Sequence, residues 1–458
     1  MAGAAANANA GMGAVGLPPL GPELTDVTKL EPTSCAISAT VTPAADIGMV
    51  GVATFSTDFA EGDRAIIQFG KTQDYTLEAP VNWAATEHRT WLLGMPAETT
   101  VHYRVVVMHG ATACIGNDAT YQTGAAPNGT PANNSPVKGT STTSPTPGFI
   151  IAELSDVAYI VNVEGEVVWA HRFPVKLSRA ALSWDGMYLY ARDMGALSGN
   201  SGGAAYRVAL DGSGETNLGL PGATHHDLTP IPTGIAYIGR GTSEEFDSIY
   251  TAGPDGSNPT ELVNLEVVIS HFDYGEGVGI MGSHVNAIHY YRDTQSYSIS
   301  DREKDMIAFF SSKGALLGSV GATPNSDTPN HAKAEGADSK VDSVWRVQHG
   351  HDQYAPNKLI LWSNGPLKDG TSHVLHYTID GTTATLDWQY TGAGTGGVLG
   401  DTQHLPSGHF LITNSDRGTN GGVVQEIDEH AEVIQTFAGL SAAYSCHRST
   451  LYGPPPGR

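Results

Sequence analysis

From residue 148 onward, apolar residues fall into short runs of strand length separated by turns, and the pattern repeats. One unit is a strand, a turn and a strand. It occurs as "AYIVNVEGEVVW" (158–169), "AAYRVALDGSGETNL" (204–218), "DSIYTAGPDGSNPTEL" (247–262), "MIAFFSSKGALLGSV" (306–320), "HVLHYTIDGTTATLDW" (373–388) and "GVVQEIDEHAEVIQTF" (422–437). A second unit sits between these copies: a polar cluster, then an apolar strand. Its members are "LSRAALSWDGMYLYAR" (177–192), "HHDLTPIPTGIAYIG" (225–239), "HVNAIHYYRDTQSYSIS" (284–300), "HGHDQYAPNKLILWS" (349–363), "QHLPSGHFLIT" (403–413) and "SCHRSTLY" (445–452). Each unit occurs six times, with a period of roughly fifty residues and no helical periodicity. Two hairpins per period fill such a repeat with four short strands, which predicts a six-bladed β-propeller over 148–458. A seventh blade would need a repeat hidden in 147–157 or in the long fourth period, and none is visible. The last unit is short, so ring closure is expected to borrow a strand from "GFIIAEL" near the start of the domain.

The chain ahead of the propeller has a different pattern. Residues 128–147, "NGTPANNSPVKGTSTTSPTP", are rich in Pro, Ser, Thr and Asn and predict a linker. In 23–127 the segments "CAISATVTP", "GVATFSTDF", "RAIIQFG", "RTWLLGM" and "VHYRVVVMHG" alternate or run apolar between turns, which predicts a small antiparallel sandwich. Its segment "HRTWLLGMPAETTVHYRVVV" resembles the later strands of fibronectin type III-like domains. Residues 1–22 predict a disordered Ala/Gly/Asn leader without the basic and apolar regions of an intact secretory signal. The fold class expected is therefore all-β, a fibronectin III-like β-sandwich followed by the propeller.

Composition narrows the partners. The chain has 458 residues, with 24 Lys+Arg against 47 Asp+Glu and a formal charge of −23. Such a surface repels nucleic acid and anionic membranes. No run of about 18 apolar residues marks a membrane span. An anionic small substrate would need local cationic groups of its own. Cys35 and Cys114 fall in one region; they either pair in an oxidising compartment or remain buried thiols, and the sequence leaves both open.

The polar clusters carry the chemistry. They offer Ser178 and Arg179; His225, His226 and Asp227; His284 and Asn286; Gln348, His349, His351 and Asp352; Gln403 and His404; and Cys446, His447 and Arg448. If the slot enters an inner strand, all six clusters converge at one mouth of the central channel. Imidazoles gathered with guanidinium groups suit binding and transfer of an anionic group, with one neutral imidazole as nucleophile or base. They also suit a transition metal such as zinc, copper or manganese, for which His225, His226, His284, His349, His351 and His404 are the candidate ligands. Asp227 and Asp352 could orient a ring or fix its tautomer, although adjacent residues rarely contact each other's side chains directly, which makes Asp227 a support rather than a ligand.

Three motifs, "HHDLTPIPTG", "SHVNAIHYYRDTQSYSISDRE" and "VQHGHDQYAPNKLILWSNG", resemble those of the bacterial arylsulfotransferase (aryl-sulfate sulfotransferase) family. The resemblance implies a PAPS-independent transfer in two steps with no cofactor. A histidine takes sulfate from an aryl sulfate ester, and a phenol then accepts it. It implies that His284 and Arg302 bind and polarise the sulfate and that His225 or His226 assists. The nucleophile is His349, matched by its preceding Gln, or His351, matched by its following Asp; the Gln favours His349. Asn286, Arg179, His404, His447 and Arg448 are expected to bind substrate. The extra imidazoles His404 and His447 depart from the family pattern and keep a metal-dependent propeller lyase or hydrolase as the alternative. The expected partners are a small aryl sulfate and a phenol, with assembly into a homo-oligomer left open. The family and the leader imply export to the periplasm or beyond.

Overall fold

The computed structural model describes residues 24–455 apart from 195–202, 242–244, 270–281, 323–328, 338–342, 366–370, 392–398, 416–421 and 441–442. The expected leader at 1–22 lies outside the described residues. The protein is all-β and propeller-like in build; among the described residues the helical content is one α-helical turn, Leu265–Ile269, and one 3-10 turn, Val27–Lys29.

The N-terminal region forms two sheets. Ile37–Pro43, Gly51–Thr57 and His88–Leu92 make one, and Arg64–Gly70 and Thr100–His109 are central to the other. Alternation along Gly51–Thr57 turns Ala53 and Phe55 inward, where they share a core with Trp91, Ile67, Phe69, Val105 and Val107. Cys35 and Cys114 form a disulfide with Cα atoms 5.8 Å apart, which decides between the two states left open above.

The expected linker is not a free tether. Val137–Lys138 adds a strand to the outer edge of Val433–Ala438. Ser141 Oγ donates to Asp428 Oδ2 (2.7 Å), and Thr146 N donates to Glu426 Oε1 (2.8 Å). Pro, Ser and Thr composition marked a segment without a core of its own, and here that segment is pinned by side chains of the following domain. At the other end of the chain, Tyr452 donates its hydroxyl hydrogen to the Trp91 carbonyl and accepts from Leu93 N, both at 2.8 Å.

Beyond residue 148 the strands form antiparallel meanders. Leu177–Leu182, Tyr188–Asp193, Ala205–Ala209 and Thr216–Asn217 make one sheet; Thr224–Ile231, Gly234–Arg240, Asp247–Ala252 and Thr260–Asn264 make the next. The meanders that begin with Val285–Tyr291 and with His351–Ala355 are joined into one sheet by the bridging strand His331–Ala334. Asp401–His404 begins another. The last sheet combines Phe149–Leu154, Val157–Asn162 and Val167–Arg172 with Cys446–Arg448, so the short final unit does pair with "GFIIAEL", through Ile150 opposite His447.

Each sheet buries one face against the next. Ile231, Ile238 and Ile249 meet Val285, Ile288 and Ile299, and Trp362 and Val374 meet Phe410 and Ile412. Each such side chain contributes about 1.5–3 kcal/mol by leaving water. The first strands are also stitched to one another. Ser178 Oγ donates to the His226 carbonyl (3.5 Å), and Asp227 Oδ2 accepts from Ile288 N (3.0 Å). Asn286 Nδ2 donates to the Gln348 carbonyl (2.6 Å), and Asp352 Oδ2 accepts from His404 N (2.9 Å). His447 N donates to Gln403 Oε1 (2.7 Å), and the Cys446 thiol lies 3.9 Å from the Ala180 carbonyl, back on the strand where the circuit began. Asp227 and Asp352 therefore each hold the backbone of the neighbouring strand.

Candidate active site

The first strands do not begin as regular ladders. Between Thr224 and Leu228 the register slips, so that His225, His226 and Asp227 face a single partner residue. Similar slips occur at Ser178 and at Asn286. Such bulges re-aim side chains that a regular strand would send to alternate faces. His226 has φ 55°, a left-handed conformation uncommon for a residue with a side chain, and Val347, two residues before His349, has φ 49°. Backbone held in this region clusters at functional sites.

The result is a buried histidine group. His225 Nε2 lies 2.8 Å from Asp247 Oδ1, which also accepts from Arg240 Nη1 at 2.8 Å. His225 Nδ1 is 2.9 Å from His226 Nδ1, and His226 Nε2 is 3.3 Å from His284 Nε2. The His349 ring centroid stands 6.3 Å from that of His226. A carboxylate only accepts, so His225 donates from Nε2 and presents the lone pair of Nδ1. His226 then donates from Nδ1 and presents Nε2, towards which His284 donates. His284 Nδ1 has no hydrogen-bond partner among the described residues. His349 Nδ1 lies 2.9 Å from the Val347 carbonyl, an acceptor, and 3.0 Å from the Asn364 amide Nδ2, a donor that also bonds that carbonyl; a proton on Nδ1 directed at the carbonyl places the lone pair on Nε2.

Burial holds His226 well below the ordinary histidine value, reinforced by His284, His225, His349 and Arg192. Burial does the same to His284, helped by Arg302 and His225. Both imidazoles are therefore neutral at neutral pH. Arg302 follows directly: its N–H donates to the His284 carbonyl (3.0 Å), and its guanidinium rests on Glu303 (2.6 Å) while remaining 22% exposed. His225, His226, His284, His349 and Arg302 are thus brought together.

The remaining candidates lie elsewhere. The slot was expected to converge on one mouth, but an inner strand advances about 3.3 Å per residue, so a shift of a few residues carries a side chain from one end to the other. Arg179 sits midway, paired with Asp227 (3.1 Å) and Asp401 (2.7 Å) and lying over Tyr444. His404 stacks on Tyr354, with ring centroids 4.1 Å apart, and lines a pocket at the far ends of the strands together with His447 and Arg448. Asn286 is wholly buried; its amide Nδ2 holds the Gln348 backbone, and its Oδ1 has no hydrogen-bond partner among the described residues. Gln348 in turn donates to the Asp301 carbonyl (2.6 Å).

His351 is separated from the cluster although only Gly350 divides it from His349. Its Nε2 bonds Ser298 Oγ (2.6 Å), and its ring meets His289 edge-on at 4.8 Å. A Cβ on Gly350 would collide with Asp401, so glycine lets the two histidine segments pass close to the next strand. With His351 and His404 elsewhere, the six-histidine ligand set breaks up, and among the described residues no group of three His, Cys, Asp or Glu is arranged to hold a metal ion.

Sequence reasoning missed Asp247, which fixes the tautomer of His225, and Asn364, whose amide Nδ2 lies 3.0 Å from His349 Nδ1. The signal for Asp247 was present: a carboxylate opens the otherwise strand-like "DSIYTAG" and is fully buried there.

His351 gives a pH-dependent expectation. Burial lowers its pKa from 6.5 to about 3, so the unfolded chain binds a proton that the native protein refuses. The native state therefore loses stability as pH falls from 6.5 towards 3. His351→Asn is expected to remove that part of the acid limb. The stability advantage of the parent over the variant, measured by urea unfolding, shrinks between about pH 7 and about pH 5. An advantage that is independent of pH would show that His351 does not carry this linkage.

No family model matches this sequence, and no curated protein matches it. Among solved structures, the chain is similar to TolB from Acinetobacter baumannii at 11% identity and a TM-score of 0.41, over 77% of this chain and 80% of that one. It is also similar to the β-propeller domain of the Trilobed protease from Pyrococcus furiosus, at 8% identity and a TM-score of 0.29, over 57% and 69%. AztD from Citrobacter koseri shows 11% identity and a TM-score of 0.27, over 90% and 98%.

Proposed function

We propose that the protein is an exported, arylsulfotransferase-like enzyme that moves a sulfuryl group from an aryl sulfate to a phenol through a sulfohistidine. In this reading the meanders are the blades of a six-bladed propeller, and the N-terminal sheets are a fibronectin III-like sandwich. The observation that carries it is the meeting of His226, His284 and His349, at the entries to three successive meanders, beside Arg302. The Cys35–Cys114 disulfide supports an oxidising compartment.

The chemistry follows from the protonation pattern. The Nε2 lone pair of His349 attacks sulfur, an N–S bond forms, and the S–O(aryl) bond breaks with its electron pair leaving on the aryloxide. The aryloxide leaves as the anion and takes its proton from solvent water. In the second step a phenol gives its proton to the free lone pair of His284 Nδ1, its oxygen attacks sulfur, the N–S bond breaks with its electron pair returning to His349 Nε2, and the proton on His284 is released to solvent. Arg302 swings from Glu303 to hold the sulfonate oxygens, supplying the positive charge that the acidic surface lacks.

The test is incubation with p-nitrophenyl sulfate and no acceptor, followed by peptide mass analysis. The expected result is release of one equivalent of p-nitrophenol and a gain of one SO3 group on the peptide carrying His349. Turnover on adding phenol should persist in EDTA. No adduct and no turnover would sink the reading.

A further inference from the structure

The pocket at the far ends of the inner strands has a volume of about 310 Å³, of the size that holds a small organic ligand. It is separate from the histidine cluster. Thr229, Pro230 and Tyr290 line it from the ends of strands whose opposite ends present His226 and His284, and Arg179, Asp401 and Tyr444 lie between.

Its walls are aromatic. Trp184 and Tyr290 meet edge to face with centroids 5.7 Å apart, and Tyr354 stacks on His404. Arg448 also lines the pocket and is 5% exposed. Its Nη2 donates to the Gly453 carbonyl, its Nε has no hydrogen-bond partner, and it forms no ion pair with a carboxylate among the described residues. The one carboxylate lining the pocket, Asp401, is engaged by Arg179. Asp185, beyond ion-pair distance, only partly offsets the cost of withdrawing this guanidinium from water, and an anion entering the pocket removes more of that cost. Flat aromatic walls select the rest of the ligand.

We infer that this pocket is a second small-molecule site, which binds a planar aromatic carboxylate or similar aromatic anion with its charge on Arg448 and its ring against Trp184, Tyr290 and Tyr354. The inference is independent of sulfuryl transfer, because none of these residues belongs to the histidine cluster.

Calorimetric titration of the full chain with naphthoate, which carries no transferable group, tests it. Saturable one-to-one binding is expected, and it should survive His349→Ala. Arg448→Gln should weaken it at least about tenfold, the loss of one charge-assisted contact. Trp184→Ala, at a half-buried wall position, should also weaken it and guards against a folding defect in the first variant. The neutral analogue naphthylmethanol should bind more weakly than naphthoate to the parent. Absence of saturable binding, unchanged affinity in both variants, or loss of binding in His349→Ala overturns the proposal.

Discussion

His349→Ala is expected to lower transfer from p-nitrophenyl sulfate to phenol by at least about 10³-fold in kcat, with the fold unchanged by circular dichroism. The argument rests on tautomer and position. In the proposed reading the Nδ1 proton of His349 is directed at the Val347 carbonyl and the Nε2 lone pair is the nucleophile, on a ring whose centroid stands 6.3 Å from that of His226. Neither His225 nor His351 can substitute without rearrangement. His225 is bonded at both nitrogens, to Asp247 and to His226, and His351 bonds Ser298 outside the cluster. His351→Asn should therefore retain turnover within about tenfold of the parent at neutral pH. Its cost falls on stability, since truncating a buried hydrogen-bonded group destabilises by about 1–3 kcal/mol. Arg302→Ala should sit between these extremes, at about 10²–10³-fold, the scale of losing one group that stabilises charge in the transition state. Because burial holds His226 and His284 neutral, the acid limb of kcat/KM should lie below pH 6.5. Retained activity in His349→Ala together with lost activity in His351→Asn would falsify the assignment of the nucleophile.

Arg179→Ala is expected to destabilise the protein by about 3–5 kcal/mol at neutral pH, read as a lower urea midpoint. The guanidinium is the counter-ion of two carboxylates buried in the middle of the inner-strand assembly, Asp227 at 3.1 Å and Asp401 at 2.7 Å. Burial already raises Asp401 to about 6 and raises Asp227, each opposed by Arg179. Removing the arginine raises both further. A carboxyl group whose folded pKa exceeds its unfolded value contributes most below the unfolded value and loses that contribution as pH rises through the folded one. The penalty of Arg179→Ala should accordingly shrink as pH is lowered from about 7 towards about 4. Adding Asp227→Asn and Asp401→Asn should recover much of the loss at neutral pH. A pH-independent penalty would mean that lost packing against Tyr444, not uncompensated charge, carries the effect.

The repeat, the strand and turn positions and the closing pair of "GFIIAEL" with the final unit were determined by the sequence itself, because two hairpins per period leave a periodic trace in apolar residues. The residue types of the site were legible too: imidazoles in a recurring slot, with Arg302 added by the motif resemblance. Depth along the inner strands was not. The alignment put His226, His351, His404 and His447 in one slot, yet His226 stands at one end of its strand, His404 and His447 line a pocket at the other, and His351 bonds Ser298 on an adjacent strand. The slips at Ser178, at His225–Asp227 and at Asn286 change which face and which level a side chain reaches, and no residue-type pattern announces them. Asp247 shows the same limit. It lies 22 positions beyond His225 in the chain and touches it only because the third strand of that sheet returns alongside. Local patterning is a property of neighbours in sequence, whereas a shared proton is a property of neighbours in space, and here it took the tertiary structure to separate His349 from His351.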